Sequence, residues 1–225
     1  MPQSWAHFDL TTHAPEVLRT DTRVYLQSGT YSQGCGQCIG TIVMENPGDK
    51  PPSVTASGWH SFWDSTIGKI ERLAIEIRRE ALRLGKIVRP DDYVEILNLY
   101  YFCNSTSLTK LSHSALPAWC SLCNGGTTPY APRPSANSRF IFVAWGKEPH
   151  HALQQPRNTV LQGAIQALRP SNVPTYMVGN QWTILHITQT PLSYPRHPGG
   201  FFNYPNGRQA GLLRDIAIQL APHLK

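Results

Sequence analysis

Residues Ile39 to Met44 read IGTIVM, a continuous apolar run broken by Asn46-Pro47-Gly48. A strand with one wet face alternates apolar and polar side chains, so a run without alternation belongs in a sheet covered on both faces. This segment predicts a buried parallel strand that ends at a functional loop. Tyr93 to Phe102 (YVEILNLYYF) and Arg139 to Trp145 (RFIFVAW) read as two further strands, with shorter ones at Arg23–Gln27, Thr175–Val178 and Trp182–Ile187.

Helical periodicity fills the gaps. From about Thr66 to Leu84 the stripe Ile67, Ile70, Leu73, Ala74, Ile77, Ala81 and Leu84 predicts an amphipathic helix, capped by Asp64 or Ser65 and stopped at Gly85. Further helices are expected near Arg157–Leu168 and over Gln209–Leu220, while residues 50–64 read as irregular. Strands alternating with helices predict an α/β fold, a three-layer α/β/α sandwich around a central, mainly parallel sheet. The 225 residues fit one domain, with 1–22 an extension and 103–138 a long loop that a bound metal would stabilise. Ligands of such folds bind where the strands end at their carboxyl edge, here after Met44, Leu97, Trp145 and Ile187.

Lys and Arg number 20 against 14 Asp and Glu, a net charge of +6. Such an excess favours a polyanionic partner, although solubility alone explains it equally well. The N-terminal MPQSWAHFDL lacks a basic start and an apolar core, and no apolar run is long enough to span a bilayer. The expectation is a soluble, cytoplasmic monomer that binds DNA and no membrane.

Several segments carry a resemblance. Glu45-Asn46-Pro47-Gly48-Asp49 resembles the first motif of the uracil-DNA glycosylase superfamily, in the Asn-Pro-Gly form of its mismatch-specific thymine/uracil branch. Gly58-Trp59-His60-Ser61-Phe62-Trp63 is similar to the Phe-Trp that follows it, and Leu97-Asn98-Leu99 to the strand end whose Asn reads the base. Val143-Ala144-Trp145-Gly146 resembles a later Trp-Gly, and Pro195-Arg196-His197-Pro198-Gly199-Gly200 the His-Pro-Ser motif before the intercalating loop. Order and spacing agree over residues 39–205, and are similar also in a related family of uncharacterised bacterial proteins. Taken singly the motifs have ordinary readings. Asn-Pro-Gly is a common turn signal, His197 stands among prolines, and the 59–63 aromatics would anchor a loop.

The resemblance implies a glycosylase-like fold and a division of labour. Breaking an N-glycosidic bond leaves an oxocarbenium-like sugar and an anionic base. His197 would donate to the base oxygen as charge grows there. Asn46 would hold the attacking water; an amide takes no proton at neutral pH, so Glu45, Asp49 and Asp64 are the carboxylates that would supply a base. Asn98 offers donor and acceptor to the edge of a flipped-out base, and Phe62, or Trp63 in second place, would stack on its face. Pro47, Gly48, Arg196 and Gly199 complete the expected substrate contacts. Two departures stand out. Gly48 replaces the Tyr that excludes 5-substituted bases in uracil-specific members, which implies a 5-substituted pyrimidine. Gly199 replaces the Ser of a phosphate contact.

Five cysteines include two Cys-x-x-Cys pairs, Cys35/Cys38 and Cys120/Cys123, plus Cys103. In a cytosolic chain this spacing favours metal over disulfides, and two pairs make a tetrahedral thiolate site for zinc. The iron–sulfur branch of the same superfamily implies instead a 4Fe-4S cluster on Cys35, Cys38, Cys103 and Cys120 or Cys123. Unligated buried thiols are the third reading. The leading functional expectation is a monofunctional glycosylase that leaves an abasic site, with a role against modified foreign or phage DNA as one setting. The alternatives are a non-catalytic DNA- or nucleotide-binding module on the same fold, and a hydrolase of free nucleosides or nucleotides.

Overall fold

The computed structural model describes residues 3–10, 17–29, 36–44, 54–98, 103, 134–144, 172–179, 182–187 and 209–225. Among these residues eight strands form one sheet. They are β1 (Ser4–Asp9), β2 (Leu18–Tyr25), β3 (Cys38–Met44), β4 (Gly58–Ser61), β5 (Tyr93–Asn98), β6 (Ile141–Val143), β7 (Thr175–Val178) and β8 (Ile184–His186). Two helices, α1 (Ser65–Arg83) and α2 (Gln209–Leu220), complete the α/β architecture, and a short 3-10 turn, Ala221–His223, follows α2. No described helix is long and apolar enough to cross a membrane.

The spatial order is β4-β1-β2-β5-β3-β6-β7-β8. Parallel pairing is confined to the middle, where β3 lies between β5 and β6, and β6 pairs with β7. The other described pairings, β1–β2, β1–β4, β2–β5 and β7–β8, are antiparallel. The sheet is therefore mixed and largely antiparallel, which corrects the expectation of a mainly parallel one. Antiparallel neighbours close through short links, whereas parallel neighbours need a crossover. The stretch read as an extension supplies β1 and the start of β2 as an antiparallel pair at one side. Gly179 and Trp182, the latter at φ 62°, turn β7 straight back into β8 at the other.

β3 is buried along its whole length, as its uninterrupted apolar run requires. Side chains of one sheet face (Phe8, Val24, Ile42, Val94, Ile96, Phe142, Val178) share a core with Ile67, Ile70, Leu73, Ala74, Ile77 and Ala81 of α1 and Leu212, Leu213 and Ile216 of α2. Each fully buried aliphatic side chain contributes about 1.5–3 kcal/mol. Both described helices pack on this face. The expected helix over 157–168 lies outside the described residues, and the three-layer arrangement with it.

Asp64 caps α1: its Oδ1 accepts from the backbone N–H of Thr66 (2.8 Å) and Ile67 (2.7 Å). Gly85 ends the helix in a left-handed turn at φ +72°. Leu84, expected in the apolar stripe, is instead the C-cap and is exposed, because the helix stops one residue earlier.

Candidate functional site

The parallel core runs in the order β5-β3-β6-β7. The chain enters at β3, crosses to β5 on one side, and later fills β6 and β7 on the other. In open α/β sheets such a reversal marks the crevice at which ligands bind, outside the carboxyl ends of the strands. Here those ends are Met44, Asn98 and, one residue beyond β6, Ala144, whose N–H donates to the Val43 carbonyl (2.8 Å).

Asn98 is the last residue of β5 and pairs with Met44, the last of β3. It alternates with Val94 and Ile96, so it shares the helix-side face of the sheet. It is buried, at 1% exposure, and its Oδ1 has no hydrogen-bond partner among the described residues. An unpaired buried amide oxygen costs about 1–3 kcal/mol, an expense rarely found where no ligand or water is received. Glu45, the first residue of the Asn-Pro-Gly motif, follows Met44 directly in sequence.

Of the two aromatics read as stacking candidates, Phe62 is inside the core. It is 3% exposed, lies edge-to-face with Phe8 (centroids 5.8 Å apart), and carries the Arg19 guanidinium 4.4 Å above its centroid. Its N–H donates to the Ser4 carbonyl (3.1 Å), and its own carbonyl accepts from the Ser4 hydroxyl. Trp63 is the exposed one, at 66%, with its indole against Gly68 in the first turn of α1. Asp64 has its Oδ1 committed to the helix cap and its Oδ2 3.9 Å from Arg19 Nη1.

Arg19 is the residue that sequence reasoning missed. It sits near the start of β2, opposite Phe8, and is 1% exposed. Neither Nε nor Nη1 has a hydrogen-bond partner among the described residues. Burial lowers its pKa, opposed by the charge of Asp64 and by Cys103. Because β2 runs antiparallel to β5, Arg19 stands toward the Asn98 end of the sheet. In the sequence it falls within the 1–22 extension; its burial follows from Phe62 and α1 folding over it.

The described cysteines are at opposite ends. Cys38 opens β3 and pairs with Tyr93, the first residue of β5. Cys103 donates its N–H to the Val17 carbonyl (2.8 Å), beside the start of β2 and hence the far end of β5. Five strand steps from Tyr93 to Asn98 span about 17 Å, so one cluster does not gather both thiols.

Burial and the nearby Glu95 carboxylate push the Cys38 thiol up to about 12, and its S–H donates to the Gly40 carbonyl (3.3 Å). Beside it, Thr41 Oγ1 lies 2.5 Å from Glu95 Oε1 and 2.7 Å from Ser138 Oγ, while Ser138 donates to the Phe140 carbonyl (3.1 Å). Glu95 Oε1 also accepts from the Ser135 backbone N–H (2.6 Å). Burial raises the Glu95 pKa, opposed by the hydrogen bonds from Ser135 and Thr41. Among the described residues no group of three or more His, Cys, Asp or Glu is placed to hold a metal.

Glu45, Asn46, Pro47, Gly48, Asp49, Arg196, His197 and Gly199, with Cys35, Cys120 and Cys123, lie outside the described residues. No protein-family model, curated protein or solved structure matches the chain.

Proposed function

We propose that this chain is a DNA glycosylase that flips out a 5-substituted pyrimidine and excises it, leaving an abasic site. The observation that carries the reading is the pairing of Met44 with Asn98. It brings a buried amide, its acceptor unpaired among the described residues, beside the strand end that precedes the Asn-Pro-Gly motif in sequence.

In this reading Asn98 reads the edge of the everted base, and Gly48 leaves room for its 5-substituent. Asn46 positions the attacking water, with Glu45 or Asp49 as its base. His197 donates to the base oxygen as the bond to the sugar breaks. Asp64 serves as cap and as counter-ion to Arg19 rather than as the base, since one oxygen already accepts two N–H groups. Trp63, being exposed, is the ring available for stacking, and Pro47, Arg196 and Gly199 would supply further substrate contacts. The excess of basic residues serves a monomer that binds DNA in the cytoplasm, and modified foreign DNA supplies the substituted bases.

The chemistry requires no metal. The separation of Cys38 from Cys103 argues against the cluster set, and leaves zinc on Cys35, Cys38, Cys120 and Cys123 as the structural metal we propose.

The test is incubation of the purified chain with duplexes carrying 5-substituted pyrimidines, followed by alkali. Strand breaks at the modified base are expected, and they disappear in Asn46→Ala and His197→Ala. Breaks that survive both substitutions would refute the assigned roles. Salt-sensitive DNA binding with no breaks would point to the non-catalytic binding module instead.

A further inference from the structure

The guanidinium of Arg19 is buried with two donor atoms that are unpaired among the described residues, at the same end of the sheet as the Asn98 acceptor, which is likewise unpaired among them. We propose that Arg19 is a base-recognition residue, its N–H groups donating to a carbonyl oxygen of the pyrimidine whose N–H is received by Asn98 Oδ1. The inference rests on reading this edge as a base site, and does not depend on excision.

A buried cation with two donor atoms unpaired among the described residues is a costly feature for a fold to carry. Asp64 offsets only part of that cost. Its nearer oxygen is 3.9 Å from Nη1, beyond hydrogen-bond reach, and its other oxygen is taken by the helix cap. The ring of Phe62 holds the guanidinium plane from one side at 4.4 Å, and supplies no acceptor in the plane where the N–H groups point.

Among the described residues, no β2–β5 pairing reaches the two residues. Backbone pairing of β2 with β5 ends at Arg23↔Glu95, although β2 extends back to Leu18 and β5 on to Asn98. Arg19 and Asn98 occupy those unpaired ends of neighbouring strands. Both belong to the helix-side face: Arg19 is the partner of the core residue Phe8, and Asn98 alternates with Val94 and Ile96.

Open donors beside an open acceptor select the ligand. A phosphate or carboxylate presents acceptors alone and would leave Asn98 Oδ1 unpaired. The edge of a uracil- or thymine-type pyrimidine presents a carbonyl oxygen next to an N–H, and satisfies both. In a site shielded from water, a fixed guanidinium also holds negative charge on that oxygen more strongly than a neutral donor does.

The experiment follows the Arg19 Nε–H resonance of the full-length protein by NMR. It is titrated separately with inorganic phosphate and with the free bases uracil, thymine, 5-hydroxymethyluracil and 5-hydroxymethylcytosine. A saturable shift with at least one base and none with phosphate is expected. Arg19→Lys should weaken that base by about 10-fold, and Arg19→Met by about 100-fold, as loss of charge-assisted hydrogen bonds implies. A shift with phosphate alone, or with none of the ligands, overturns the proposal, and the titration of the unaltered protein decides even where a variant fails to fold. Base binding without release of any base from DNA would sink the excision reading and leave this one standing. Base release at unchanged kcat/KM in Arg19→Lys, with an unmoved Nε–H, would do the reverse.

Discussion

Met44 and Asn98 are parallel partners at the carboxyl ends of adjacent central strands. One directly precedes Glu45, which opens the Asn-Pro-Gly motif, and the other is a buried amide whose oxygen is unpaired among the described residues. A sheet that ended here for structural reasons alone would gain from an apolar residue at position 98, where Val94 and Ile96 already mark the face as core. Asn98→Leu should therefore raise stability to urea or leave it unchanged, within about 1 kcal/mol, because removing an unpaired buried polar group is nearly neutral or favourable. The same variant should lose base release. A marked fall in its urea midpoint would mean that the amide is paired in the native state.

Asp64 separates two roles that one carboxylate could hold. Asp64→Asn retains an N-cap acceptor and removes the charge beside Arg19, whereas Asp64→Ala removes both. Loss of the cap alone costs about 1 kcal/mol, so Asp64→Ala should be the less stable of the two in thermal melts. Base release by Asp64→Asn should stay within about 10-fold of the unaltered protein, since a general base worth about 100-fold or more is not being removed. A larger loss in a folded Asp64→Asn would return Asp64 to the catalytic set.

Glu95 gives the fold a pH dependence of known sign. Burial raises its pKa above the ordinary 4.5, so the folded state holds a proton that the unfolded chain releases. Its contribution is fully present below 4.5 and is lost as pH rises from there through the raised folded value. Burial shifts Asp21 the same way and adds to the slope. Urea midpoints measured across this range should decline with pH, and less steeply in Glu95→Gln. An identical slope in that variant would show that Glu95 ionises normally.

Gly40 is held small by its neighbour. A Cβ there would stand 2.1 Å from the Phe140 ring, which is wholly buried. Gly40→Ala should destabilise by about 1–3 kcal/mol, as overpacking does, and Phe140→Leu on the same chain should recover part of the loss. Additive effects in the double variant would contradict the contact.

What the sequence disclosed follows from the length of each signal. Helix α1 was readable because five turns of stripe, an Asp64 cap and a Gly85 stop agree. β3 and β5 were readable because nothing but a covered sheet accepts their apolar runs. β4, with only GWHS, offers too few residues to reveal a period, and 50–64 accordingly read as irregular. The alternation of SWAHFD in β1 is short and stands at the chain start, where it read as an extension. Strand direction has no local signature, so the antiparallel flanks were hidden although most strands were not. Asn98 was legible because an amide is conspicuous in an apolar strand. Arg19 was not, because its burial is created by Phe62 and α1, more than 40 positions away in the sequence. Chain spacing likewise gave no sign that β3 and β5 carry Cys38 and Cys103 to opposite ends.

Excision itself is tested most directly by mass spectrometry of the small molecules freed when the purified protein meets a panel of genomic DNAs with different modified pyrimidines. The account predicts that a free 5-substituted pyrimidine accumulates in step with abasic sites, and that Asn98→Leu frees none. Retention of every base by every DNA, with the protein folded and bound to the duplex, would contradict it.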